Sequence, residues 1–285
     1  MSINTRPVSL LTTADRVEIF VRGEPFATYR YRESDTPGFT ALYAQGERAV
    51  TQPAANGLAL WLMHGNVNGV AYGVPGVPIG QSVGQIITED MMARRGSLSV
   101  GFQHDCVWLN EAGERALTDR RTVRVLPGPS EGTILDIEIR LQAPDDAPVT
   151  FGQTEDSLLC VRAASALYSD APLTMGGGQV RNSLGEYGAE SLHGRQARWC
   201  ACVGVVRGET VGFAFLEHPR NDGFPSPWVA RSDGVLSPTP FEWRSRTLPA
   251  GHSLTLRYRL LVHVGYVNQG WADARQSDFA GERQL

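Results

Sequence analysis

Apolar and polar residues alternate with a period of two along most of this chain. Val17, Ile19 and Val21 are interleaved with Arg16, Glu18 and Arg22, with only Phe20 out of step. Leu98, Val100 and Phe102 form a second set, and Leu135, Ile137, Ile139 and Leu141 alternate with Asp136, Glu138, Arg140 and Gln142. Near the carboxyl end Leu254, Leu256, Tyr258, Leu260 and Val262 share one side, and Thr255, Arg257, Arg259 and His263 share the other. Successive side chains of a strand project to opposite faces, so each set predicts a strand with one buried face. Trp199, Ala201 and Val203 lead through Arg207-Gly208-Glu209-Thr210 to the apolar return from Val211 to Leu216, the spacing of a hairpin. Helical spacing is confined to two short stretches. One is Thr88 to Arg95, with Thr88 as N-cap and acids in its first turn; the other is Ala272 to Phe279. Strands throughout, without a βαβ rhythm, predict an all-β fold. We expect one large antiparallel β-sandwich, a supersandwich, over residues 1–285 with very little helix; the galactose-mutarotase-like sandwiches are an analogy for it at the level of fold alone. The stretch from Ala143 to Pro148 is the one candidate break between halves.

Composition supports many turns. There are 31 glycines and 17 prolines, about 17% of the chain where about 12% is usual. All 26 basic residues are arginine, which excludes a Schiff-base lysine and the Gly-Lys-Ser/Thr of a phosphate loop. The net charge of −4, with arginines in small groups beside carboxylates, argues against nucleic acid as a partner. No apolar run is long enough to cross a bilayer. The stretch from Met1 to Asp15 lacks a basic start followed by an apolar core, so no signal peptide and a cytoplasmic location are expected. The four cysteines (Cys106, Cys160, Cys200, Cys202) are too few for a disulfide framework. Cys200-Ala201-Cys202 puts two thiols on one strand face with no second ligand pair, and reads as buried small hydrophobes rather than metal ligands.

Three polar segments interrupt the strands. In the first, Trp61-Leu62-Met63-His64-Gly65-Asn66-Val67-Asn68-Gly69, an extended backbone would project His64, Asn66 and Asn68 from one face. Alternatively, Asn68-Gly69 is a hairpin turn and His64 a structural histidine. The second, Phe151-Gly152-Gln153-Thr154-Glu155-Asp156, offers Glu155 as a general base at a strand entrance, or as a surface carboxylate paired with Arg162. The third runs from Glu217 to Arg231 through three prolines. Its His218, Asn221, Trp228 and Arg231 suit a sugar or carboxylate, Trp228 stacking and Arg231 forking two oxygens. The other reading of Trp228 is a plug for the core.

The ordered motifs His64-Gly65-Asn66-Val67-Asn68-Gly69, Phe151-Gly152-Gln153-Thr154-Glu155, Gly194-Arg195-Gln196-Ala197-Arg198-Trp199 and His218-Pro219-Arg220-Asn221 with Pro227-Trp228 and Arg231 resemble a bacterial family of unknown function. That family has carried the label "methane oxygenase PmoA", and the resemblance runs from about Phe26 to about Phe241. The label implies an integral membrane monooxygenase, which a chain without a spanning segment cannot be. The resemblance instead implies a β-sandwich associated with carbohydrate metabolism. Members carry His-His-Arg where this chain has Asn56-Gly57-Leu58, and Trp-His-x-Arg where it has Trp228-Val229-Ala230-Arg231. Three imidazoles of the family pattern are therefore missing.

Three functions follow as expectations. The first is an enzyme on a sugar or sugar-derived molecule, with no cofactor and no metal. His64 or His218 would be its acid, Glu155 its base, and Asn66, Asn68, Arg195, Asn221, Trp228 and Arg231 its binding groups. The second is a sugar-binding protein without turnover. The third is a structural or oligomeric partner, a homodimer being one way to cover the edges of so many strands.

Overall fold

The protein is described by a computed structural model covering residues 7–32, 36–77, 80–129, 132–168 and 177–282. The first six residues of the amino-terminal stretch read for a signal peptide lie outside these. Twenty strands follow in order: β1 Val8–Thr12, β2 Arg16–Val21, β3 Glu24–Arg30, β4 Gly38–Ala44, β5 Arg48–Ala49, β6 Leu60–Val67, β7 Val70–Tyr72, β8 Val83–Arg95, β9 Val100–Leu109 and β10 Arg115–Pro127. The second half holds β11 Thr133–Gln142, β12 Val149–Phe151, β13 Ser157–Arg162, β14 Gln179–Asn182, β15 Trp199–Val206, β16 Glu209–Glu217, β17 Trp228–Ala230, β18 Val235–Pro238, β19 Arg246–Leu248 and β20 Ser253–Val264. The helices are α1, Ala189–Leu192, and α2, Gln269–Gly281.

The strands form two packed sheets, joined at one edge by the short parallel pairing of β7 with β8; the other pairings, among them that of β5 with β4, are antiparallel. One runs β1-β2-β3-β4-β6-β13-β18-β17, with β7 and the pair β12-β19 attached to the carboxyl-terminal half of β6. The other runs β8-β9-β10-β11-β20-β16-β15-β14. The predicted alternations set their inner faces. Leu135, Ile137, Ile139 and Leu141 of β11, with Leu256, Tyr258 and Leu260 of β20, meet Val17, Ile19, Leu60 and Leu62 of the opposite sheet in one core. Burying such rows is the main source of stability in a sandwich. The fold is all-β, and α2 is the one long helix among the described residues.

α2 contains the predicted stretch from Ala272 to Phe279 and covers the outer face of the second sheet. Its Ala272 and Phe279 pack on Trp199, Ala201, Ala214, Leu216 and Leu261. This explains why the polar side of β20 is buried: Arg259 stacks beneath Phe279 and is clasped by Asp136 and Glu282. The hairpin turns at Arg207-Gly208 as expected, between β15 and β16. All four cysteines are free and buried, Cys200 and Cys202 in the inter-sheet core. Between the sheets a polar network links the Arg121–Asp119 ion pair, the Trp108 indole, Tyr29 and His104.

Two expectations are corrected. The stretch from Thr88 to Arg95 is not a helix but the end of β8, a 13-residue strand. Its register shifts between Thr88 and Asp90, so Glu89 is a bulge. The bulge breaks the parity, leaving Ile86, Thr88, Met91 and Ala93 facing inward at spacings that imitate a helical stripe. Leu98 lies outside any strand, exposed between β8 and β9. Among the described residues no helix is long and apolar enough to cross a membrane.

Candidate functional site

The three polar segments meet at one end of the sandwich, joined mainly through backbone. Gly65 N–H donates to the Asp156 carbonyl and Gly152 N–H to the Asn66 carbonyl, both at 2.7 Å. The Gln153 amide donates to the Trp243 carbonyl at 2.6 Å, and Arg244 beside it reaches Asp222 of the third segment at 2.9 Å. Most side chains expected to act there are spent on holding this junction.

Asn68 and Gly69 both have positive φ, 50° and 89°, forming the tight turn between β6 and β7. The Asn68 carboxamide oxygen accepts from Thr150 N–H at 2.8 Å, and that of Asn66 from Gly69 N–H at 3.0 Å. Asn221 brackets one residue of β20, accepting from Arg257 N–H at 2.8 Å and donating to its carbonyl at 2.9 Å. Trp228, expected to offer a stacking face, is fully buried. Its indole N–H donates to the Ala197 carbonyl at 2.7 Å and its ring meets Phe215 edge-on. A ring enclosed in this way has no face for a ligand.

The two candidate histidines are buried as well. His64 projects into the inter-sheet core between Phe151 and Phe241, and neither ring nitrogen has a hydrogen-bond partner among the described residues. Burial lowers its pKa to about 4, with only weak opposition from the backbone of Gly152 and Asn66. His218 lies under α2, its ring against Phe279 and its Nδ1 accepting from Arg220 N–H at 3.1 Å. Burial, aided by Arg257 and Arg220, lowers its pKa. Among the described residues no hydrogen bond, ion pair or ring contact joins His64, Glu155 and His218 to one another. An imidazole held neutral away from solvent is a poor proton donor at neutral pH.

What the junction presents to solvent is a different set. Glu155 is exposed, its carboxylate 3.8 Å from His193 Nε2; Arg162 instead donates to the carbonyls of Asp233 and Pro53. Burial raises the pKa of the half-buried Asp156, Arg231 lowers it and Glu155 raises it again, with a net upward shift. Arg231 is exposed and 3.5 Å from Asp233. Arg195 is exposed and ion-paired to Glu186 at 2.6 Å. Trp243, held by Gln153, is 55% exposed, a large indole face open to solvent. Glu155, Arg195 and Arg231 are thus exposed, as are His193 and Trp243, and Asp156 is half-buried; the sequence did not single out the last three. Glu217 was also missed. Its carboxylate is buried, bonded to the Ser226 N–H and hydroxyl at 2.8 and 2.6 Å, and burial raises its pKa to about 7. Among the described residues no three His, Cys, Asp or Glu side chains gather as a metal site.

No curated protein matches the chain. Among solved structures it is similar to a polysaccharide lyase, at 12% identity over 90% of this chain and 34% of the other, with a TM-score of 0.37. It is also similar to a protein described as a kojibiose phosphorylase from the human microbiome, at 10% identity over 98% of this chain and 37% of the other, with a TM-score of 0.38. The chain spans about a third of the length of each, and likenesses this distant carry nothing about its activity. The model of a family of unknown function, DUF6807, matches residues 16–275, nearly the whole sandwich, and the chain belongs to that family.

Proposed function

We propose that this protein binds a sugar or sugar-derived small molecule at the end of the sandwich where its three polar segments meet. The observation that carries the reading is the exposed Trp243, tied by its own carbonyl to Gln153, whose segment continues to Glu155 and to Asp156, the carboxylate that Arg231 acts on. An open indole suits the apolar face of a pyranose, and planar amide, carboxylate and guanidinium groups suit its hydroxyls. The family resemblance in the sequence points to the same ligand class. In this reading Trp243 takes the stacking role first expected of Trp228, and Arg231 keeps its role of gripping oxygens. Acid–base processing of the bound sugar would fall to His193 with Glu155 or Asp156, in place of the buried His64 and His218.

Binding without turnover is the second reading. It is favoured by the exposure of His193 and Glu155, whose side chains are 40% and 62% accessible. Solvent competes at such a pair and weakens the tuning that an acid and base need. A thermal-shift screen against neutral sugars, keto-sugars and sugar acids tests both readings, with each stabilising compound then assayed for product. A ligand that raises the midpoint of wild type but not of Arg231→Ala supports the site. Product formation abolished in His193→Gln supports processing, and a stable complex without product supports binding alone. A ligand equally effective on Arg231→Ala would place binding elsewhere.

A further inference from the structure

β8 is the edge of the second sheet. Beyond its two short parallel pairings with β7 at Val83 and Gly84, its only strand partner among the described residues is β9. An unpaired strand edge is a template for another strand, and proteins commonly protect it with like charges. Here the charges are arranged differently. The sequence Glu89-Asp90-Met91-Met92-Ala93-Arg94-Arg95 carries acids at one end, arginines at the other and exposed Met92 at its centre.

We infer that β8 pairs antiparallel with β8 of a second copy of this chain, about a two-fold axis through Met92, joining the two sheets into one. The axis must pass through a residue, because a two-fold perpendicular to a sheet keeps each residue on its own face. Asp90, Met92 and Arg94 lie on the outer face, opposite Asp105, Gln103 and Gly101 of β9, while Met91 and Ala93 pack on the core. Centring on Met92 sets Asp90 against the second copy's Arg94, Met92 against its equivalent, and Arg94 against Asp90. Moving the centre to Met91 or Ala93 puts Asp90 opposite Met92 or Gly96 and loses both pairs. Within its own chain Asp90 sits opposite Asp105, which Arg120 already clasps at 2.7 Å, and Asp90 itself makes no ion pair among the described residues, whereas Arg94 is bonded only to the neutral Gln103 at 2.8 Å. Opposite charges facing each other across strands are favourable, so an arginine from a second copy gives Asp90 the ion partner that it lacks among the described residues.

The space beside the strand fits this partner. An open hollow of about 830 Å³ runs along its edge from Ile87 to Met91. Asp15, Glu89 and Asp90 line it with Arg32; Asp15 is paired with Arg16 and Glu89 with Arg115, which leaves Asp90 as the carboxylate to be answered by a second copy. In the proposed register this is where Arg94 and Arg95 of the second copy arrive. The Glu89 bulge limits the shared ladder to a short segment, so the contact depends on these charge pairs and weakens with added salt.

Multi-angle light scattering over a dilution series, with circular dichroism to confirm folding, provides the test. Wild type is expected to show a dimer at twice the 31.0 kDa of one chain, dissociating on dilution and in high salt. Asp90→Arg and Arg94→Asp each set like charges across both rungs, so each alone is expected to give only the 31.0 kDa species. An equimolar mixture of the two sets opposite charges across both rungs and is expected to recover the dimer mass. A wild type that stays monomeric at every concentration, single variants that still dimerise, or a mixture that fails to recover the dimer would each overturn the inference.

Discussion

His64 shows how a residue that looks reactive in the sequence can belong to the core. Its ring has apolar neighbours on both sides, and beyond weak contributions from the Gly152 and Asn66 backbone neither nitrogen has a well-formed hydrogen bond among the described residues. Buried unsatisfied polar atoms are costly, about 1–3 kcal/mol each. Replacing the ring by Leu is therefore expected to stabilise the protein by about 1 kcal/mol in urea denaturation; clear destabilisation would mean that the nitrogens are satisfied in solution. The same burial gives a pH signature. The pKa values of His64 and His263 are both lowered to about 4 by burial. Below about 6.5 the unfolded chain takes up protons that the folded one refuses, so stability is present above that pH and lost as pH falls toward 4, on the order of 3 kcal/mol for each ring. Glu217 acts in the opposite sense, because its raised pKa of about 7 favours the folded state at low pH and this contribution is lost as pH rises from about 4.5 to 7. Melting temperatures measured across this range should fall less steeply on acidification in His64→Leu than in wild type. In Glu217→Gln the gain over wild type should be larger at pH 8 than at pH 5.

At the level of elements, strands that follow strict alternation were legible and those that break it were not. β11 and β20 read directly, because each buries one face along its whole length. β8 did not, because one bulge at Glu89 converts a period of two into an apparent helical stripe. The turn at Asn68-Gly69 was one of two open readings, and the backbone angles select it. α2 was visible as a helix, but its docking on the polar face of β20 was not, since nothing local says what will cover a charged face. This docking makes Phe279 a keystone, packed on Leu216 and Leu261 and over Arg259. Phe279→Ala is expected to cost about 3 kcal/mol in denaturation experiments and to speed amide exchange in α2 first. A loss under about 0.5 kcal/mol would mean the helix adds little to the sandwich.

For the whole molecule, the architecture follows from inner faces that the sequence patterns mark, but the working surface follows from which side chains the packing leaves outside. Trp228 and Trp243 illustrate the difference. Both lie in Pro-rich loop sequence near arginines, and only the fold decides that the first fills the core and the second meets solvent. The ordered motifs coincide with the junction of the three segments because backbone and turn residues there build it. His193, outside every motif, is brought to Glu155 by the turn after α1. The central claim, that this end binds a sugar through Trp243, is tested most directly by calorimetric titration of wild type and Trp243→Ala with the best ligand from the sugar screen. Saturable one-site binding is expected, weakened at least tenfold, or about 1.4 kcal/mol, in Trp243→Ala while the melting temperature stays unchanged. Equal affinity in the two proteins would contradict it.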